Sequence, residues 1–144
     1  MPLRHCILAS TLALSLPVAA HEPNFCDRPR PHPIDQRMDA AIARSGGVTA
    51  DMRDAQGAAY AAWDRELNRI YARLMKALPK DAASALRASQ RAWLAWDRAQ
   101  AAADQALQAD AGSAAALQVA ASGLSRLRAR VCELGDWEEM VAER

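Results

Sequence analysis

The chain is 144 residues long, enough for one hydrophobic core and too short for two comfortable domains. Its 18 basic and 17 acidic residues sum to a formal charge of +1, which leaves no concentrated basic face for nucleic acid. Hydrophobic residues make up 51% of the chain, dominated by alanine, so the composition favours helices over strands.

Residues 1–20 read as an export signal. Arg4 and His5 make a short basic start, residues 6–17 are apolar but too short to span a bilayer comfortably, and Val18, Ala19 and Ala20 are the small residues that a signal peptidase reads. The mature chain is expected to begin at His21, with Cys6 discarded in the removed segment. That leaves 124 residues carrying 17 basic and 17 acidic side chains, a net charge of zero. With no second apolar run of spanning length, the mature protein is expected to be soluble, and periplasmic or secreted. The organisation read from the sequence is a signal peptide over 1–20, a Pro-rich arm with a short helix over 21–48, and a helical domain over 49–144.

Cys26 and Cys132 survive removal of the signal. An even cysteine count in an oxidising compartment favours a bridge between the arm and the last helix, the alternative being two thiols too far apart to meet. From residue 21 to 33 the chain carries four prolines and no apolar periodicity, so an extended arm is expected. A free amine on His21 together with its imidazole, and His32 as a third ligand, is a conceivable copper site. A disordered end is the better reading of the same residues, and neither metal nor cofactor is assigned.

A short helix is expected over residues 34–43, stopped at Ser45, Gly46 and Gly47. The first long helix starts near Thr49 or Asp51 and runs to Leu78, where Pro79 stops it. Tyr60, Trp63, Leu67, Ile70, Tyr71, Leu74 and Leu78 mark its buried face at three- and four-residue steps. Asp81 is expected to cap a second long helix reaching about Ala109, with Leu86, Gln90, Trp93, Asp97 and Gln100 along one line and Leu94 beside it. Residues 110–113 turn, and Ser113 is expected to cap a last helix carrying Leu117, Leu124, Leu127, Val131 and Leu134, which Gly135 ends or kinks. Short turns between long amphipathic segments predict an all-α, up-down three-helix bundle with a minor N-terminal helix across it. The alanine-rich stretch 99–109 contributes little apolar area and is expected to be its least stable part.

Polar residues on apolar faces are costly unless paired. Asn68, Gln90, Asp97 and Arg128 all lie on or beside such faces, so an interhelical polar layer that fixes register is expected, a ligand pocket being the functional alternative. The paired acids Glu138 and Glu139 lie in a charged tail rather than a catalytic elbow, and enzymatic activity is not expected.

Leu67-Asn68, Tyr71 and Leu74, then Gln90 and Trp93, then Ser125 and Arg128 form three spaced helical signatures. This arrangement resembles the secreted bacterial helical domain at the N-terminus of the lysozyme inhibitor LprI, over most of residues 51–134. Two departures stand out. Asp97-Arg98 inverts the Arg-Asp order usual after the family's tryptophan, and the cysteine pair that often links the family's last two helices is replaced by alanines at 101–103 and 120–121. The resemblance implies an exported envelope binding protein, not an enzyme, that inhibits lysozyme-type muramidases stoichiometrically. Lysozymes are commonly cationic, and Glu133, Asp136, Glu138, Glu139 and Glu143 supply a negative run suited to steering one. A solvated C-terminal tail explains those acids as well. The alternative function is a structural or accessory periplasmic protein with an unrelated envelope partner.

Overall fold

The computed structural model describes Cys26, residues 30–110 and residues 112–144. The export signal expected at 1–20 and the amine of His21 lie outside the described residues. Those described form four helices and no strand: α1 (Pro33–Arg44), α2 (Thr49–Ala77), α3 (Lys80–Leu107) and α4 (Gly112–Ala142).

Helix α1 begins with Pro33 in its first turn, where a missing N–H costs nothing, and His32 caps it by accepting the Ile34 N–H at Nδ1 (3.2 Å). It ends at Ser45, after which Gly46 and Gly47 take the left-handed conformation that glycine adopts without penalty (φ 58° and 87°). Pro79 stops α2 at Ala77, its extended conformation opening α3 at Lys80. Asp81 is therefore not the cap: it sits in the first turn of α3, where a carboxylate still favours the helix dipole. Helix α4 opens one residue before the expected cap, at Gly112 with φ 62°. It also runs straight through Gly135 to Ala142, because Trp137 and Val141 extend the packed face past the glycine and outweigh its cost of about 1 kcal/mol.

The core lies chiefly between α2 and α4, with α1 packed on α2, while α3 packs mainly on α4 and touches α2 only lightly. Ala59, Trp63, Leu67, Ile70 and Leu74 of α2 meet Leu124, Leu127, Val131 and Leu134 of α4, joined by Ile34 and Leu86. Contacts fall in the same chain order along α2 and α4, Gln56 reaching the Leu117 carbonyl and Arg73 reaching Glu138, so those two helices are parallel. Along α3 the order reverses, Gln90 meeting Arg130 and Asp97 meeting Arg126, so α3 runs antiparallel to both.

Two aromatic placements differ from the expected faces. Tyr60 is exposed, and Trp93 is only partly buried, whereas Trp63 is 1% exposed and sits at the centre of the core. Both rings lie beside α4, Tyr60 next to Gly123 and Trp93 in the α3/α4 groove, while the sparse α2–α3 contact leaves them open on the other side.

Candidate functional site

At the α1 end, Cys26 lies at disulfide-bonding distance from Cys132 of α4, with Cα atoms 5.4 Å apart and a sequence separation of 106. Cys26 is thereby held to the body beside a cavity of about 470 Å³ walled by Cys26, His32, Trp63, Glu66 and Asp136 among others, while the rest of the expected extended arm before Arg30 lies outside the described residues. Asp35, buried at the start of α1, accepts a hydrogen bond from the Trp63 indole N–H (3.0 Å) and pairs with Arg128 of α4. His32 lies against the Trp63 ring, centroids 4.4 Å apart. One carboxylate thus ties three helices together, and none of Asp35, His32 or Trp63 belonged to the expected polar layer.

The four residues expected in that layer do not meet. Asn68 is exposed and bonds Asp64 on its own helix (3.1 Å). Gln90 accepts from Arg130 Nε (3.0 Å), a buried arginine that also reaches Ser89 and Glu133 and lies over the Trp137 ring. Asp97 accepts from Arg126 Nε (2.7 Å), whose other branch binds Asp104 (2.6 Å). Arg128 turns to Asp35 instead. Three arginines on successive turns of α4 therefore serve separate sets of partners, Arg126 and Arg130 fixing α4 against α3 and Arg128 fixing it against α1. Arg130 carried a legible signal: it stands three residues after Leu127 and four before Leu134, the spacing of the core face. Asp35 had none, since its partners lie 28 and 93 positions away.

The acidic residues near the C-terminus divide between two faces of α4 and the turn that follows it. Asp136, Glu139 and Glu143 are exposed and follow each other at three- and four-residue steps, with Glu133 one step earlier, also exposed and bonded to Arg130. Glu138 points the other way, four residues after Leu134, and pairs with Arg73 of α2. Hydrogen bonds from that guanidinium hold the Glu138 carboxyl below its ordinary range against the opposing effect of desolvation, and raise Arg73 in turn. The five acids expected to act together are thus an outward-facing four and one structural partner.

Beside this face the α3/α4 groove carries Trp93 and the half-exposed Trp96 next to Arg130 and Glu133. Towards the opposite end, α2, α3 and α4 surround a cleft of about 680 Å³, walled partly by alanine and glycine and partly by polar side chains, among them Arg53, Tyr60, Asp97, Gln105 and Arg126. No group of three or more potential metal ligands forms among the described residues. No described helix is long and apolar enough to cross a membrane.

A family model described as lysozyme inhibitor LprI matches residues 40–134. No curated protein matches the chain. No solved structure matches it either. The matched segment runs from the second half of α1 to Leu134, so it contains the cleft and the arginines of α4. Asp35, Cys26 and the acids from Asp136 onward lie beyond it.

Proposed function

From the premise that the chain belongs to the LprI lysozyme inhibitor family, matched over residues 40–134, we propose that the mature protein is an exported, non-catalytic inhibitor that binds a lysozyme-type muramidase in stoichiometric amounts. The family match carries this reading. The outward face of Glu133, Asp136, Glu139 and Glu143 supports it, because a cationic enzyme approaching α4 meets several carboxylates at once and electrostatic steering raises its encounter rate. Trp96, half exposed beside Glu133, is the kind of rigid aromatic that anchors an interface core. A cysteine pair at bonding distance fits an oxidising compartment, and with it the periplasmic or secreted location.

The test is a titration of the folded, oxidised protein against several cationic lysozymes, reading cell-wall lysis. Inhibition that saturates near one inhibitor per enzyme supports the proposal. Full lytic activity at micromolar excess of folded protein removes it, and an accessory envelope protein with another partner then becomes the account to pursue.

A further inference from the structure

The chain is close to neutral as a whole, but its charge is unevenly spread. Helix α3 carries Lys80, Arg87, Arg91 and Arg98, all exposed, and steps of seven, four and seven residues return each of them to the same edge of the helix. Against them α3 exposes one carboxylate, Asp81, because its other acids, Asp97 and Asp104, are bonded to Arg126 of α4. No acid stands three or four residues from Arg87, Arg91 or Arg98, and none of the three forms an ion pair among the described residues. Arg98 gives its Nε to the Leu94 carbonyl (3.1 Å) and stays exposed. Arg87 and Arg91 are one turn apart, where like charges weaken a helix, so an anion lying along this edge relieves a cost. The acid that α2 brings towards α3 is Asp64, which acts with Asp97 on the Tyr60 hydroxyl, and its carboxylate accepts from Asn68 (3.1 Å).

Hydrocarbon lies among these cations. Leu94, 43% exposed, falls within the basic line, and the exposed Ala88, Ala92, Ala95 and Ala99 run beside it at four- and three-residue steps. From Lys80 to Arg98 the line is about 27 Å long. Cations strung out in this way suit a plane of anionic head groups, whereas a single small anion needs donors that converge on it. The low alanines let the helix lie close to such a plane, with Leu94 at the level of the acyl boundary. A nucleic-acid backbone offers phosphates but nothing to Leu94, and the α3 of a second copy would bring like charges together. We propose that α3 docks the protein on an anionic phospholipid surface, Lys80, Arg87, Arg91 and Arg98 meeting lipid phosphates and Leu94 entering the head-group layer. This surface is separate from the acidic face of α4 and does not depend on lysozyme binding.

The test is co-sedimentation of the oxidised mature protein with vesicles, either of phosphatidylcholine alone or of equal parts phosphatidylcholine and phosphatidylglycerol. Binding is expected to the anionic vesicles only, and to weaken as salt rises. Arg87→Gln with Arg91→Gln is expected to weaken it by about thirtyfold, about fivefold for each charge. Arg44→Gln with Arg65→Gln removes the same charge from exposed positions on α1 and α2 and is expected to weaken it far less. Leu94→Ser is expected to weaken it severalfold. Circular dichroism melts confirm that each variant is folded. The proposal is overturned if the protein ignores anionic vesicles at low salt, binds neutral ones equally well, or loses the same affinity in both double variants. It is also overturned if Leu94→Ser binds as the wild type does, if millimolar glycerol 3-phosphate displaces the protein from vesicles, or if a DNA duplex binds more tightly than the vesicles.

Discussion

Among individual residues, Trp63 carries the most structural weight. It is 1% exposed, gives its indole N–H to Asp35 and lies against His32, so it joins α2 to α1 as well as filling the core. Trp63→Ala is expected to cost about 3–5 kcal/mol, read as a large drop in urea midpoint, whereas Trp93→Ala, removing a partly exposed ring, should cost clearly less. Equal midpoints for the two variants would mean that the core is assigned to the wrong helix pair. Sequence spacing placed both tryptophans on apolar faces but could not rank them, because burial depends on how the helices pack: Trp63 lies in the α2–α4 core and Trp93 at the α3/α4 groove. The Arg73–Glu138 pair is a smaller matter. Both side chains are substantially exposed, so Glu138→Gln should change stability by under about 1 kcal/mol at neutral pH. Its carboxyl is held below the ordinary glutamate range when folded, so the contribution is present above that range and is lost as pH falls through the folded value. Wild type and Glu138→Gln should therefore differ slightly near neutrality and converge in acid; a difference that grows in acid would contradict the pairing.

At the level of elements, the helices were legible because their punctuation is chemical: Pro79 between α2 and α3, and the Gly46-Gly47 pair after α1. The errors came where packing overrode local preference, as at Gly135, which α4 passes through because apolar residues continue beyond it. Helix α3 is the element least supported by its neighbours. Its last turns are mostly alanine, and Leu107 is 86% exposed. Amide hydrogen exchange should accordingly be fastest in the 99–107 part of α3 and slowest along the facing parts of α2 and α4. Uniform protection over all three long helices would show that alanine propensity alone holds α3. The link from Cys26 to Cys132 closes a loop of 106 positions, for which chain entropy assigns about 4 to 5 kcal/mol. Reduction should lower the melting temperature markedly, and a Cys132→Ser protein that melts with the oxidised wild type would show that the arm contributes nothing to the fold.

For the whole molecule, the three spaced signatures from Leu67 to Arg128 were enough to place the chain in its family, since they depend only on positions along helices. The arrangement of charges was not readable in the same way. The sequence presents Glu133, Asp136, Glu138, Glu139 and Glu143 as one acidic run, and only the packing of α4 against α2 shows that Glu138 is committed to Arg73 while the others face outward. The division of the acids makes the central claim sharply testable, through the association rate with a cationic lysozyme measured at rising salt. Asp136→Asn, Glu139→Gln and Glu143→Gln combined should slow association at low salt, with the wild-type advantage fading as salt screens it, while Glu138→Gln should associate nearly as fast as wild type. Rates that are equal for the wild type and the triple variant at low salt, or slowed only by Glu138→Gln, would contradict the account.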